Sequence, residues 1–424
     1  MNSIRNLRSR LFYGWVIAFV AFMSLFVAAG PRGAFGNLIE PLSKDFGWNL
    51  EQISLAASLS IFLLGLSQPL VGWLINRLGP KKVILGGLIV YGLSSLLLSL
   101  ISSLWQLYLL YGVAMGISWG ASSNLSFAAL ISSWFSKRRG LALSMAHSGM
   151  AIGQFLLIPV SMGFIIYQGW RWAVAILSFL VLGVGVPLVW RLVRDTPYEK
   201  GLLPDGGKIA VSPMVLPGGA GQPGHLVRPK GVGLRAAART SPFWLLAGSF
   251  TICGLTSHLM SVHFVPSAIH QGYPPMTAAQ AAGVMWGANV IGIWVSGFIS
   301  DYVGRKVPLA ILYALRGLGI IMLLSSGSEL TLYLAAILIG VGTLGTAPLT
   351  TGLVADIYGV ASIGTVLGIV SMGHQLGGGV SIYLAGLIAH ERGSYYWAFV
   401  PSAIFLFMAS LACLFIREKR PKEG

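Results

Sequence analysis

Charged side chains are scarce in this 424-residue chain, where Asp, Glu, Lys and Arg together make up only 9% of the sequence. Acidic residues are the rarest charged class, with 12 against 28 Lys and Arg, and the formal net charge is +16. Soluble domains typically carry about 25% charged residues, so this composition excludes an ordinary soluble protein. The two cysteines, Cys253 and Cys413, lie in separate apolar segments. We therefore expect buried thiols and no structural disulfide.

Several chemical signatures are also missing from the sequence. There is no Walker-type phosphate loop and no cluster of Cys and His at zinc spacing. No grouping of nucleophile, base and orienting residue indicates an enzyme. The basic segments contain few interleaved aromatic residues, which argues against a nucleic-acid partner and favours contact with anionic membrane lipid. We expect no cofactor, no metal site and no enzymatic activity.

Apolar segments dominate the rest of the sequence. Hydrophobic residues account for 55% of the chain, and the mean hydropathy is +0.78. A helix that crosses a bilayer needs about 20 apolar residues, and the period-two alternation of a membrane barrel is absent from the sequence. We predict an all-α integral membrane protein with twelve transmembrane helices. The candidate spans lie near residues 12–38, 53–75, 82–102, 105–132, 140–167, 171–193, 242–268, 277–300, 307–326, 329–354, 362–389 and 395–416.

The positions of the basic residues predict how the helices are oriented. If the amino terminus is cytoplasmic, 23 of the 28 Lys and Arg fall on the cytoplasmic side, in agreement with the positive-inside rule. We expect a multi-pass protein of the cell membrane (inner or plasma membrane) with both termini in the cytoplasm. No small-residue cleavage site follows the first apolar segment, so we expect this segment to be retained and not removed as a signal peptide.

A stretch rich in Gly, Pro and charge interrupts the apolar periodicity between Arg194 and Thr240. This composition is typical of a linker. We predict an N-terminal six-helix bundle at 1–194, a cytoplasmic linker at 195–241 and a C-terminal six-helix bundle at 242–424.

One loop pattern occurs in both halves, as GWLINRLGPKK and as GFISDYVGRK, and the two copies begin 225 residues apart. Each copy ends a long apolar segment with a Gly, an amide or carboxylate, a second Gly in a tight turn, and basic residues. We interpret both as conformational parts at cytoplasmic hairpins, with the amide copy holding more weakly than the carboxylate copy. A plain role in topology is the alternative. The motif residues are Gly72, Asn76, Arg77 and Gly79 in the first copy and Gly297, Asp301, Gly304, Arg305 and Lys306 in the second.

With twelve spans and a long middle linker, these loops resemble the major facilitator superfamily over the full length of the chain. Within it, the segment WFSKRRGLALSMAHSG from Trp134 to Gly149 resembles the signature of the monocarboxylate porters. The resemblance implies a bacterial-type porter built from two pseudo-symmetric six-helix bundles. The basic triplet of this signature is Lys137, Arg138 and Arg139.

Two further positions support the likeness to monocarboxylate porters, and one departs from it. Tyr13-Gly14-Trp15 is similar to the start of that family's first helix, and Pro31-Arg32 lies one residue away from its Pro-Lys pair. The helix 8 Arg of the family is replaced by Ile293, although Asn289 before it is present. The resemblance therefore leaves Arg32 as the main cationic candidate. Drug antiporters usually carry an Arg in helix 4, where this chain has Tyr111.

Two arginines lie within predicted helices, and a charge at the bilayer centre costs about 3 kcal/mol on insertion scales. Arg32 falls in the outer half of helix 1, from where it would face the central cavity and bind a carboxylate through its planar fork. The alternative is that it reaches the outer membrane interface. For Arg316 in helix 9 we expect a structural contact with a carbonyl or a neighbouring helix.

No acidic residue lies squarely inside a predicted helix, so proton coupling would fall to histidine, which exchanges protons near neutral pH. The proton-coupling candidates are His374, His263 and His258, in that order. Polar residues of the cavity helices complete the predicted site, with hydrogen bonding between helices as their alternative role. These further polar candidates include Gln154, Thr346 and Thr350. The substrate-binding residues that we predict are Arg32, Tyr111, Asn124, Asn289 and His374.

The sequence thus predicts a monomeric secondary active transporter that moves a small, monocarboxylate-like organic anion by alternating access. We expect the energy to come from a proton gradient, as in proton symport, or from a substrate gradient. A drug or neutral-solute transporter on the same scaffold is the alternative, favoured by Ile293 and by the scarcity of charge in the predicted cavity. A membrane-embedded enzyme and a nontransporting sensor are weaker alternatives.

Overall fold

The computed structural model describes residues 12–135, 138–206, 232–359 and 366–417, apart from the side chains of Asn76, Asn124, Arg139 and Asp301. Ten helices in these residues are long and apolar enough to cross a membrane. Two further helical elements, α4 and α11, lie where the sequence predicts the fourth and eleventh spans. In chain order the elements are α1 Tyr13–Phe46, α2 Leu50–Leu78, α3 Pro80–Leu98, α4 at 104–134, α5 Arg139–Gln168, α6 Trp170–Leu192, α7 Ser241–His270, α8 Pro275–Val303, α9 Lys306–Leu324, α10 Glu329–Tyr358, α11 Gly368–Arg392 and α12 Tyr396–Leu414.

Local sequence sets where these helices begin and end. The side chain of Asn49 accepts a hydrogen bond from the backbone N–H of Gln52 at the start of α2, which satisfies a donor that the helix itself leaves free. The second glycine of each loop motif ends its helix with a positive φ, 85° at Gly79 and 83° at Gly304. A side chain is strained in that region. The tight turn predicted for both motifs is therefore confirmed.

In the described part of the chain, the helices α1, α4 and α10 are broken within their length. Helix α1 contains Pro31 and breaks at Ala34, and α10 is divided into Glu329–Val341 and Thr346–Tyr358. Helix α4 is the most irregular, and its backbone turns to an extended conformation at Ser123. Its helical pieces are Leu104–Leu107, the π-helical Tyr108–Met115, Gly116–Ser122 and Asn124–Trp134. Irregular backbone at membrane depth is tolerated only where protein or a cavity covers it, so these breaks point to the middle of the molecule.

The apolar cores follow the two halves of the chain. One core cluster is built mainly from α1 to α6 and the other mainly from α7 to α12. Val262 and Ile382 of the second half pack into the first cluster, and Ile158 and Met162 of the first half pack into the second. The architecture confirms the predicted fold, an all-α membrane protein with two pseudo-symmetric bundles. The residue boundaries that we predict for the bundles and the linker stay a prediction.

The basic residues of the two loop motifs mark one end of the molecule. This end, which carries Arg77, Lys81, Arg305 and Lys306, is called the basic face, and the other end is called the opposite face. Near the opposite face, direct contacts join the two halves.

Hydrogen bonds and close glycine contacts contribute to this junction. The Tyr383 hydroxyl in α11 donates to Glu51 in α2 at 2.8 Å, and the Ser58 hydroxyl in α2 donates to a carbonyl of α11 at 2.7 Å. A Cβ on Gly36 of α1 would lie 2.8 Å from the carbonyl oxygen of Val262 in α7, so only glycine fits there. The junction closes the molecule on this side.

Candidate functional site

A cavity of about 350 Å³ lies between the two halves. Its wall includes residues from α1, α2, α4 and α5 of the first half and from α7, α8, α10 and α11 of the second. The lining continues toward the basic face through Gln68, Leu125 and Ser371, while the junction closes the opposite face. Concave sites of about 300–1,000 Å³ are typical of small-molecule binding. No Asp or Glu is found in the described lining.

Arg32 lies on the wall of this cavity. Pro31 and the break at Ala34 set the local course of α1, and the Arg32 guanidinium carbon lies 5.0 Å from the centre of the Trp119 ring, a cation–π contact. Among the described residues, the guanidinium makes no hydrogen bond or ion pair. A guanidinium carries five N–H donors in a planar fork, so this cation presents unused donors beside the cavity.

Tyr111 forms the neighbouring part of the wall. It lies in the π-helical part of α4, and its ring stacks on Phe35 with 3.9 Å between ring centroids. Short π-helical segments inside α-helices are frequent at functional sites. The Tyr91 hydroxyl donates to the Ala28 carbonyl at 3.0 Å, which fixes α1 against α3. Arg32 and Tyr111 are thus brought together, as expected for one site.

The second half contributes two of the predicted histidines. His258 and His374 both line the cavity, and their ring centroids are 5.4 Å apart. His258 Nε2 lies 2.9 Å from Gln375 Oε1, and the His374 ring lies 4.6 Å from that of Phe250. This wall is therefore polar but carries no fixed charge.

Other predicted site residues lie outside the described lining of the cavity. His263 is fully buried and its Nε2 lies 3.0 Å from the Ile382 carbonyl. Asn289 is also buried, and its Oδ1 accepts a hydrogen bond of 2.8 Å from the backbone N–H of Leu344. That N–H lies at the break of α10, so Asn289 supports the irregular backbone. The side chain of Asn124 lies outside the described part of the chain.

Arg316 is completely buried and makes the structural contact that we expect from the sequence. Its guanidinium donates to the carbonyl oxygens of Gly342 and Thr343, at the carboxyl end of the first piece of α10. It also donates to the hydroxyls of Thr256 and Ser257 in α7, both at 2.8 Å. The unpaired carbonyls of a helix end carry partial negative charge. The interrupted helix thus replaces a carboxylate as the partner of this cation.

Both loop motifs form polar contacts that the sequence did not reveal. In the first half, Asp195 Oδ1 accepts a hydrogen bond of 2.6 Å from the backbone N–H of Lys81, at the start of α3. In the second half, Arg305 forms an ion pair with Asp356 at the end of α10, and Lys306 Nζ donates to the Leu414 carbonyl at 3.3 Å. The roles predicted for Asn76 and Asp301 concern side chains outside the described part. Those roles stay predictions.

The other motif residues have fewer contacts. Arg77 lies over the Trp73 ring at 5.2 Å. Cβ atoms built on Gly72 and Gly297 would meet no atom within 4 Å in the described structure. These two glycines therefore lie in open space and not at a close helix contact.

The two segments that resemble monocarboxylate porters meet at the basic face. Trp15 and Phe135 have ring centroids 5.0 Å apart, and those of Tyr13 and Trp134 are 5.5 Å apart. Trp134 Nε1 also donates to the Arg194 carbonyl at 3.0 Å, just after α6. This aromatic cluster ties the start of α1 to the end of α4 and the exit of α6. In the adjacent triplet, Lys137 and the side chain of Arg139 lie outside the described residues, and Arg138 precedes α5.

Comparison with known proteins agrees with this architecture. The family model of the Major Facilitator Superfamily matches residues 15–323 and 295–424. Monocarboxylate transporter 13 of Rattus norvegicus is 25% identical, over 97% of this chain and 92% of that protein. Monocarboxylate transporter 11 of Homo sapiens is 26% identical, over 97% of this chain and 84% of that protein. An uncharacterised transporter of Bacillus subtilis, YcxA, is 25% identical, over 96% and 97%.

Among solved structures, the fold is similar to a bacterial homologue of the human lysosomal transporter Spinster, crystallised in an inward-facing and occupied conformation. The TM-score is 0.68 at 15% sequence identity, and the alignment covers 96% of this chain and 97% of that one. This likeness concerns the fold alone. The family match spans most of the chain, and the resemblance predicted from the sequence is confirmed. The chain belongs to the major facilitator superfamily, and it is a non-enzymatic, multi-pass membrane transporter of a small molecule.

Proposed function

We propose that this transporter carries a small organic anion of the monocarboxylate type, and that Arg32 binds the carboxylate. The observation that carries the proposal is the Arg32 guanidinium on the cavity wall, which has no hydrogen-bond partner among the described residues. A cation held at membrane depth without a partner is costly. A carboxylate that accepts two parallel N–H bonds from the guanidinium would remove that cost.

The charge of the cavity favours an anion over the alternative substrates. The described lining has one Arg and no acidic residue, so a cationic drug would meet a like charge and no partner. A neutral solute would leave the guanidinium unpaired. The names of the relatives, monocarboxylate transporters 13 and 11, agree with an anionic substrate. Arg32 in α1 would then take the place of the helix 8 Arg that Ile293 replaces.

Alternating access accounts for the arrangement of the two halves. The junction near the opposite face would open while the basic face closes, so that the same cavity is exposed to each side in turn. By the positive-inside rule the basic face is cytoplasmic, with both termini inside the cell, in the inner or plasma membrane. We propose a monomer, because each chain contains one complete cavity between its own halves.

Coupling to protons is assigned to the two cavity histidines. His374 and His258 lie across the cavity from Arg32, and His258 contacts Gln375. Protonation of either imidazole would add a positive charge to a site that receives an anion. His263, with its ring nitrogen on a carbonyl, is the weaker candidate. Uptake by a His374→Gln variant in vesicles with an imposed pH gradient tests this assignment, and an unchanged response to the gradient excludes His374.

The experiment that tests the anion site compares two matched substitutions in proteoliposomes. Arg32→Gln removes the cavity cation, and we expect carboxylate uptake to fall at least about tenfold because a charge-assisted bidentate contact is lost. Arg171→Gln is the control, since Arg171 lies near the opposite face and outside the described lining of the cavity, where it contacts Asp45 and the Trp170 ring. Equal uptake by both variants at equal membrane levels would remove Arg32 from the site. Competition by a cationic dye but not by carboxylates would favour drug transport.

A further inference from the structure

We infer that Gln154 in α5 determines substrate specificity by hydrogen bonding to an oxygen substituent on the body of the substrate, next to the carboxylate at Arg32. This inference rests on the proposed function, because it assigns a second contact within the same cavity. Arg32 and Gln154 both line that cavity, one from α1 and one from α5.

Close packing of α5 on α1 places Gln154 beside Arg32. Cβ atoms built on Gly149 and Gly153 would overlap the carbonyl oxygens of two α1 residues, so only glycine allows the two backbones to come this close. A Cβ on Gly33 would lie 3.0 Å from Cγ of Gln154. The glycine spacing in α5 thus puts the Gln154 side chain against the residue that follows Arg32.

The Gln154 amide oxygen is buried and has no hydrogen-bond partner among the described residues. The residue is 4% exposed, and its Oε1 makes no hydrogen bond in the described structure. On the same interface, the Asn37 amide nitrogen donates to the Ser161 hydroxyl at 2.8 Å and to the Ile158 carbonyl at 3.0 Å. The Asn37 amide oxygen is also unpaired among the described residues, but Asn37 lies outside the described lining of the cavity, whereas Gln154 belongs to it. Buried polar groups nearly always have partners. Since Gln154 borders the cavity, the missing partner is a group on the substrate.

The chemistry of an amide defines what that group is. A glutamine amide both donates and accepts hydrogen bonds but carries no charge. The unpaired atom is the amide oxygen, which accepts, so its partner must be a donor. A hydroxyl on the substrate meets this need, and a plain hydrocarbon chain does not. A site that contains such a buried group rejects an analogue that lacks the matching oxygen, because the amide stays unpaired when the analogue binds.

The test uses two acids that differ by a single hydroxyl, mandelate and phenylacetate, with protein in proteoliposomes. For the wild type we expect the ratio of mandelate to phenylacetate uptake, measured well below saturation, to be about tenfold or more. In Gln154→Met, which keeps the length of the side chain, the ratio should fall close to one through a higher KM for mandelate. Ser161→Ala is the matched control on α5 and should keep the wild-type ratio, because Ser161 lies outside the described lining of the cavity.

Gln154→Asn covers the case in which the Met variant does not reach the membrane. It keeps the amide but withdraws it from the cavity, so an intermediate ratio is expected. An unchanged ratio in the Gln154 variant that does reach the membrane, with uptake still dependent on Arg32, overturns this inference and leaves the anion proposal standing. If the wild type takes up neither acid nor any other carboxylate, the proposed function and this inference both fall.

Discussion

At the scale of single residues, the two intramembrane arginines show how context decides the role of one side chain. Arg316 is fully buried and its donors reach carbonyls and hydroxyls of α7 and α10. Arg32 faces a cavity, where its guanidinium lies against the Trp119 ring and makes no hydrogen bond among the described residues. Both arginines lie inside a helix, so their position in the sequence does not separate their roles. Their hydrogen-bond partners in the folded protein do. We assign Arg316 to structure and propose Arg32 for binding.

Replacement of Arg316 should therefore lower stability. In Arg316→Met, the carbonyls at the break of α10 lose their donor, and each buried acceptor left unpaired costs about 1–3 kcal/mol. We expect a markedly lower melting temperature of the detergent-solubilised protein and less protein in the membrane. Arg191→Met, at an exposed cation over the Trp190 ring, is the control and should melt close to the wild type. A wild-type melting temperature for Arg316→Met would contradict the structural role.

At the scale of elements, interrupted helices and glycine contacts build the cavity. The break in α1 follows Arg32 directly, the π-helical part of α4 carries Tyr111, and the break in α10 is held by Arg316 and Asn289. Free backbone groups at these breaks need side-chain partners because lipid supplies none. The described walls of the cavity are therefore formed partly by interrupted or π-helical segments and not by regular α-helix alone.

The contact of α5 with α1 gives a prediction at this scale. In Gly153→Ala, the added Cβ would overlap a carbonyl of α1, so the helices must separate and the walls near Arg32 and Gln154 must move. We expect reduced uptake and a lower melting temperature. Gly86→Ala is the matched control, since a Cβ there meets no atom within 4 Å in the described structure. That control should be neutral or slightly stabilised, because Ala favours helix over Gly by about 1 kcal/mol.

At the scale of the whole molecule, the described hydrogen bonds between the two halves lie toward one end. The hydrogen bond from Tyr383 to Glu51 and the one from Ser58 to the Gly379 carbonyl both lie near the opposite face. The cavity lining extends the other way, toward the basic face. A conformation that opens at the opposite face must break this junction. The strength of the junction therefore sets the equilibrium between the conformation open at the basic face and the one open at the opposite face.

Weakening the junction should shift that balance. In Tyr383→Phe the bond to Glu51 is lost, and the state open at the opposite face should gain population. A cysteine placed in the cavity, as in Ser60→Cys, should then react severalfold faster with a membrane-impermeant thiol reagent applied at that face. Tyr273→Phe is the control, because Tyr273 bonds to Ser328 within the second half. Equal labelling rates in both variants would show that the Tyr383 contact does not hold the junction.

The amino-acid sequence by itself determined the helical membrane architecture, the loop motifs and the superfamily. These depend on local properties, namely apolar runs long enough to cross a bilayer and glycines such as Gly79 and Gly304 with positive φ. The sequence also singled out Arg32, because a charge in an apolar run is visible without any structure.

Only the tertiary structure decided which polar side chains share a cavity. It separated His374 and His258 from His263, put Asn289 at the break of α10, and paired Arg305 with Asp356. The physical reason is that each side chain's partner is far away along the chain. Its identity depends on how the helices pack, which the periodicity of a single helix does not record.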